Sequence, residues 1–378
     1  MAELIADRVV VRVLEAAVDE PVRMSFSSLT SRRMCLIEVH AGGHVGIGES
    51  WINYPTWAPA ERVATILEGV APLILGTDVG DPPEVLDRMR AALDGVARQW
   101  GARGPVWQAM SGIDLALWDL RGRIEQTPVG ELLGSARGAA PVYASGIGPT
   151  QVEELCAKAV AMGITAVKAK VGFGDDIDRA TIAAIRSTAP HLRVFADANC
   201  AWSYDEAVRQ ARILFDEGVE WLEEPFENPD EASFGRLYEM TGMPLAAGEN
   251  AYGILELENL AATPGMLCVQ PDPAKSGGIT TAARLASQMT APVLMSPHWY
   301  AGAIGLRACL ALVTAFKQSG WIELDVRSNA LRDGLVAEGF PLDSDGRMRA
   351  SQVPGLVADL IHDQVAAHQI SVAERRSA

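Results

Sequence analysis

From about residue 140 the sequence settles into one rhythm. Short apolar runs appear as "PVYASGI", "TAVKAKV", "RVFADAN", "VEWLEEP", "MPLAAGEN", "MLCVQPD", "APVLMSP" and "GWIELD". Helix-like stretches such as "DEAVRQARILFDEG" and "GGITTAARLASQMT" separate most of them. Eight strands with helices between them predict a parallel (β/α)8-type barrel. A barrel strand is buried on both faces, so it reads apolar except where it serves a site.

The flanking segments have other periods. "DRVVVRVLEAAV" and "RRMCLIEVHAGGHVGIGES" are β-branched and alternating, with "AGGH" as a tight turn. From Pro55 to about Gly134 apolar residues recur three and four apart, as in "PPEVLDRMRAALDGVARQW". The division expected is an α+β unit over residues 1–134, a barrel over 135–345 and a C-terminal segment over 346–378. In that segment "PGLVADLIHDQVAAHQI" returns to the first unit and the final "SVAERRSA" reads as frayed.

Charge and cysteines exclude several roles. The formal net charge is −16, so bulk electrostatics will draw neither nucleic acid nor an anionic membrane surface. An anionic substrate then needs a local cation. No uncharged apolar stretch reaches the ~18 residues of a membrane span. The N-terminal "MAELIADRVV" lacks a basic region followed by a long apolar core, so no signal peptide is expected. Five scattered cysteines without CxxC spacing fit reduced thiols and a cytoplasmic location.

The polar exceptions fall at the C-terminal ends of the barrel runs, where barrels build their active sites. The second run carries Lys168 and Lys170, the third ends in Asp197 and Asn199, the fourth in Glu223 and Glu224, the fifth in Glu249 and Asn250. Asp272 ends the sixth and is followed by Lys275; His298 ends the seventh; Glu323 and Asp325 sit on the eighth. Asp197, Glu223 and Glu249 are spaced by 26 and 26 residues, about one strand–helix unit each. Three converging carboxylates repel unless a cation lies among them, and hard oxygen ligands without thiols favour Mg2+. Lys168 and Lys170, two apart on a strand, share a face. Each disfavours charge on the other, which suits Lys170 to act as a neutral base near pH 7, with Lys168 perturbing it and contacting the substrate carboxylate. Asp272, 26 residues before His298, would fix the imidazole tautomer and support its charged form. Glu323 would donate a hydrogen bond to a substrate carboxylate if burial kept it protonated, or else form a rim ion pair.

These segments together resemble the enolase superfamily, and within it the mandelate racemase subgroup, over nearly the whole chain. "SGIDLALWDLRG" and "TPVGELLG" are similar to the family's link between capping domain and barrel, and "VKAKVG" to its KxK base motif. "DAN", "WLEEP" and "GEN" resemble its three metal-ligand segments, "QPDPAKSGG" and "SPH" the sixth and seventh strand ends, and "WIE" the eighth. The resemblance implies a modified TIM-type barrel closed by an α+β capping domain, built from the N-terminal segment and part of the C-terminus. It also implies one Mg2+ per subunit on Asp197, Glu223 and Glu249, with Mn2+ as a substitute, and Lys275 close by. The muconate-lactonizing subgroup uses the sixth-strand lysine as its second base, whereas His298 with Asp272 follows the mandelate racemase pattern. A small-molecule carboxylate substrate and a homo-oligomer, dimer or octamer, are implied as well.

The expected chemistry is abstraction of the proton α to a carboxylate, through an enediolate stabilised by the metal and cationic groups. With Lys170 as base and His298 as acid, this gives dehydration of a sugar acid or related hydroxy acid to a 2-keto product. With two bases it gives a racemase or epimerase of a 2-hydroxy acid. More distant alternatives are a metal-independent Schiff-base aldolase on Lys170, and a binding protein without catalysis. Substrate choice is expected from residues 20–33, which carry Arg23, Arg32 and Arg33, and from 50–58, which carry Trp51, Tyr54 and Trp57. Trp299 and Tyr300 are further candidates for lining the pocket.

Overall fold

A computed structural model describes residues 3–134, 137–227 and 230–377. Ser135, where the sequence begins the barrel, lies outside these, as does Ala378. Thirteen strands are named in chain order. The first three are β1 (Ala6–Arg23), β2 (Ser28–Ala41) and β3 (His44–Trp51). The barrel segment supplies β4 (Ala139–Ile147), β5 (Ala166–Lys170), β6 (Arg193–Asp197), β7 (Leu222–Glu223) and β8 (Leu245–Ala247). It continues with β9 (Met266–Val269), β10 (Leu294–Met295) and β11 (Ile322–Asp325), and the chain ends with β12 (Arg347–Arg349) and β13 (Gln369–Arg376).

The N-terminal unit is an antiparallel sheet ordered β13-β1-β2-β3. Gly42 and Gly43, both at positive φ, make the tight turn from β2 to β3. Helix Arg103–Ile124 lies directly on β3. The approach is so close that a Cβ on Gly48 would stand 2.1 Å from the Gly112 carbonyl oxygen, so "GIG" in β3 is a packing requirement. Residues 371–376 are not frayed: Arg8–Leu14 of β1 pairs with β13 from Gln369 to Arg376. β13 is an edge strand with much of its surface exposed, which is where serine, glutamate and arginine are tolerated in a sheet.

Eight strands of the barrel run in the order β10-β9-β8-β7-β6-β5-β4-β11, with every neighbouring pair parallel. At the far edge Met295 accepts from Gly320 N and donates to Gln318 O, which carries β10 round to the chain just before β11. β12 adds antiparallel to β4. Inward and outward side chains alternate as a barrel demands. Val167, Ala169, Val194, Ala196 and Leu222 face the surrounding helices, while Tyr143, Ala166, Phe195, Trp221, Ala246 and Cys268 fill the interior. Phe195 and Trp221 stack with ring centroids 3.5 Å apart. Continuing the inward face by two residues from Ala166, Phe195 and Trp221 reaches Lys168, Asp197 and Glu223. The alternation that fills the barrel with aromatic rings therefore sets the polar side chains above them.

The cap is tied to the barrel by polar contacts from helix Arg103–Ile124. Asp114 accepts from Thr280 N (3.0 Å) and Thr280 Oγ1 (2.6 Å), and Ser111 Oγ accepts from Gly277 N (2.8 Å). Asp119 accepts from Ile47 N (2.8 Å), Leu356 N (2.7 Å) and Arg123 Nε (2.6 Å), joining β3, its own helix and the C-terminal segment.

Candidate active site

Lys168, on β5, is wholly buried among three carboxylates. Its Nζ lies 2.7 Å from Glu223 Oε1, 2.9 Å from Glu323 Oε1 and 3.5 Å from Asp197 Oδ2. The Tyr143 ring lies beneath it, with its centroid 5.4 Å from Nζ. Burial alone would lower its pKa, but Glu223 and Glu323 outweigh that and hold it well above the ordinary lysine value. Lys168 is thus the centre of a buried ion-pair cluster, more than a neighbour that merely perturbs Lys170.

Lys170, two residues on, donates to Asp197 Oδ2 at 2.5 Å and to Asn199 Oδ1 at 2.9 Å. Burial depresses its pKa, Asp197 raises it, and Lys168 lowers it as like charges must. The carboxylate wins and Lys170 sits above its ordinary value, so neutrality near pH 7 requires that Asp197 be otherwise engaged. Asn199 (φ 46°), Cys200 (φ 59°) and Glu224 (φ 38°) adopt left-handed backbone just past β6 and β7. Strain of this kind collects where a site fixes its side chains.

Across the mouth, His298 follows β10. Its Nδ1 lies 2.8 Å from Asp272 Oδ2 and its Nε2 lies 2.8 Å from Glu249 Oε2. Asp272 Oδ1 also accepts from Ala274 N at 2.7 Å, which fixes the carboxylate. Burial works against a charged imidazole, but Glu249 and Asp272 raise its pKa to about 10. Lys275 Nζ stands 3.7 Å from Glu249 Oε1 and 3.1 Å from Asn250 Oδ1. Glu323 is an ion-paired carboxylate: burial would raise its pKa, but Lys168, His298 and Lys170 bring it to about 2. Its Oε1 lies 2.9 Å from Lys168 Nζ, and Glu323 is buried rather than at the rim.

The three carboxylates assigned to a metal come from β6, β7 and the turn after β8, so they lie on consecutive strands of the barrel. Each takes a cationic side chain: Lys170 on Asp197, Lys168 on Glu223, and His298 with Lys275 on Glu249. Among the described residues no group of three or more His, Cys, Asp or Glu is placed so that it could hold a metal ion as it stands. The donor chemistry nevertheless fits a hard divalent ion, since Asp197, Glu223 and Glu249 offer only carboxylate oxygens and no thiol. Burial and then Asp197 push Glu223 up to about 8 despite Lys168.

A cavity joins the two halves. Lys170, Asn199, Glu249, His298 and Tyr300 form its barrel side, and Met24, Phe26, Trp51 and Tyr54 its cap side. Of the cap residues singled out in the sequence, Trp57 is largely exposed and Arg33 pairs with Glu15 within the cap sheet. Arg23 lies over the Phe173 ring. Of the three arginines, Arg32 is the one buried at the barrel mouth, paired with Asp325 and lying over the Tyr300 ring at 4.8 Å. Trp299 is buried and donates to Gly302 O at 2.9 Å.

Several polar partners carry no strand-end signal of their own. Gln270 donates to Glu223 Oε2 at 2.6 Å and Ser145 donates to Glu323. The inward parity of β4 and β9 would have pointed to both.

Two family models match the chain. Residues 8–134 match the family model described as mandelate racemase / muconate lactonizing enzyme, N-terminal domain, and residues 151–364 match enolase C-terminal domain-like. An arabinonate dehydratase of Saccharolobus solfataricus is 29% identical over 354 residues, covering 89% of this chain and 91% of that protein. A D-galactarolactone cycloisomerase of Agrobacterium fabrum is 27% identical over 371 residues, covering 93% and 95%. The crystal structure of an enolase from Bradyrhizobium complexed with magnesium and mandelic acid is 27% identical with a TM-score of 0.85, covering 98% of this chain and 100% of that one.

Proposed function

Because the chain belongs to the mandelate racemase/muconate lactonizing enzyme family of the enolase superfamily, we propose that it is a Mg2+-dependent dehydratase of a sugar acid or related hydroxy acid. The observation that carries this reading is the shared cavity. Lys170 on β5 and His298 after β10 face it together, with Glu249 at the same wall and Asp272 behind the imidazole.

Asp197, Glu223 and Glu249 would hold the ion, with Mn2+ able to replace it. When bound, Mg2+ supplies positive charge to the oxygens of a substrate carboxylate as the enediolate forms. The chain's own residues do the rest. Lys170 Nζ takes the proton from the carbon α to the carboxylate, and the C–H electron pair moves into the enediolate. That pair then forms the α,β double bond as the bond to the β-hydroxyl breaks. His298, charged and held by Asp272, gives its Nε2 proton to the departing oxygen, which leaves as water. The enol product takes a proton at the β-carbon, gives up its hydroxyl proton to solvent and becomes the 2-keto acid. Tyr54, Phe26 and Met24 cover the cavity from the cap and limit water there.

The name of the arabinonate dehydratase supports a sugar acid as substrate. The relative crystallised with mandelic acid favours a second reading, a racemase or epimerase, in which the same two groups return the proton to the opposite face. A panel of aldonic, aldaric and uronic acids in 2H2O with Mg2+ separates them. A 2-keto product supports dehydration. Deuterium at the α-carbon with inversion and no keto product would replace it with racemisation. Neither outcome with any acid would defeat both. We further propose a cytoplasmic location, a reading supported by the free cysteines among the described residues, and a homo-oligomer, dimer or octamer.

A further inference from the structure

The chain from His298 to Gly302 joins β10 to helix Ala303–Ala315, and it is held from both sides. On the barrel side Trp299 N donates to Glu323 Oε2 (3.3 Å), Asn329 Nδ2 donates to Ala301 O (2.9 Å) and Cys309 Sγ donates to His298 O (3.6 Å). On the cap side Asn53 Nδ2 donates to Tyr300 O (2.7 Å). The strongest hold is Glu49 of β3. Its Oε1 accepts from Gly302 N at 2.6 Å and its Oε2 from Gly305 N at 2.8 Å. Glu49 is wholly buried, and it caps from another domain a helix whose own N-cap residue, Gly302, has no side chain to offer. The fit is tight, since a Cβ on Gly302 would stand 2.4 Å from Met34 Sδ. Burial pushes the Glu49 carboxyl up to about 7 while the Gly305 and Gly302 amides pull it back, and the charge of Asp272 also reaches it.

We propose that Glu49 is a positioning residue for His298: through the Gly302 and Gly305 amides the cap fixes the loop that aims the imidazole into the cavity. This rests on the assignment of His298 as the proton donor in the proposed reaction. Lys170 is positioned independently, by Asp197 at the end of β6 and Asn199 just past it, and none of these three is bonded to Glu49. The two halves of the acid/base pair therefore have separate supports, and a defect at Glu49 falls on one of them.

The test is Glu49→Gln, which keeps the volume but turns one acceptor into a donor facing a backbone N–H. Exchange of the α-hydrogen for deuterium with retained configuration needs Lys170 alone. Turnover, whether to 2-keto acid or to inverted substrate, needs His298 as well. Both are read by NMR in 2H2O with Mg2+ on the acid the wild type uses, on folded protein verified by circular dichroism. The expected result is a fall of roughly 10- to 100-fold in turnover, the size of a misplaced catalytic group, with retained-configuration exchange changed much less. Glu49→Asp, which keeps the charge, should recover part of the loss. Equal losses of exchange and turnover in Glu49→Gln would overturn the role of Glu49, as would full turnover. A wild type that turns over none of the acids would instead refute the proposed function itself.

Discussion

Asp272→Asn is the sharpest probe of the acid. Asp272 Oδ1 accepts from Ala274 N at 2.7 Å while Oδ2 faces His298 Nδ1 at 2.8 Å. The substituted amide cannot satisfy both. Its oxygen must stay on the Ala274 amide, because a buried backbone N–H without an acceptor is costly. Its NH2 then faces Nδ1, so the ring must give up its Nδ1 proton and sit as the neutral Nε2–H tautomer. What is lost is a hydrogen bond between charged groups, about 1.5–3 kcal/mol, and what is gained in the imidazolium state is a donor facing a donor, about 1–3 kcal/mol. If both fall on the transition state the sum is roughly 2.5–6 kcal/mol, or about 10²- to 10⁴-fold in kcat at about 1.36 kcal/mol per decade. KM should change little, because Asp272 is not a lining residue of the cavity. Steady-state formation of the 2-keto acid gives kcat and KM, and the melting curve checks that this near-isosteric change leaves the fold intact. A variant that keeps more than about a third of wild-type kcat would show that the imidazolium is not the proton donor.

Other consequences are open to direct measurement. Arg32→Met leaves Asp325 buried without its guanidinium partner; a loss of about 3–5 kcal/mol of stability is expected, with Asp325→Leu added to Arg32→Met recovering part of it, and an unchanged urea midpoint in the single variant would count against the pair. Burial pushes Asp114 up to about 7, above its ordinary 3.8, despite the Thr280 hydrogen bonds. The native state therefore binds this proton more tightly than the unfolded chain does, and stability falls as pH rises from about 4 to 7 and then levels off. Asp114→Asn should flatten that part of the profile in urea melts, and superimposable wild-type and variant profiles would refute the assignment. Removal of divalent ions with EDTA should abolish turnover, and Mg2+ or Mn2+ should restore it; a chelated protein at full rate would rule out the carboxylate triad as a metal site.

What could be read from the chain divides along a physical line. The barrel and its strand ends were legible because a periodic fold repeats its chemistry. Asp197, Glu223 and Glu249 recur every 26 residues, and the inward parity that carries Phe195 also carries Asp197. Glu49 and Asn53 were not, since each is one polar residue at the end of a short run and its partner is set by packing. Glu49 meets Gly302 across 253 positions of sequence, a distance over which no local pattern exists. Charge states escaped for a related reason. Spacing shows that Lys168 lies beside Lys170, but the balance depends on Glu223, Glu323 and Asp197 as well, and three carboxylates reverse the sign that one lysine suggests. The C-terminal strand was missed because edge strands carry the polar composition of a frayed end.

The supports of the two proton-handling groups have a consequence for substrate range. Lys170 is held by β5 and β6, inside the barrel, where any change disturbs Asp197 and Lys168 too. His298 is held by Asp272 within the barrel, while its loop is gripped by cap residues at Tyr300 and Gly302. The cavity is roofed by Met24, Phe26, Trp51 and Tyr54, which are also cap residues. Substitution in the roof can therefore alter which acid fits without touching the base, but a movement of the cap is transmitted through Asn53 and Glu49 to the acid. In the proposed reaction, proton abstraction would then be the property of the barrel. The second step, loss of a hydroxyl or return of the proton to the other face, would depend on how the cap sets His298. A roof variant such as Tyr54→Phe, which leaves Asn53 and Glu49 in place, should change KM among acids and preserve the ratio of exchange to turnover. A changed ratio in that variant would mean that the roof, and not the Glu49 contact, governs the imidazole.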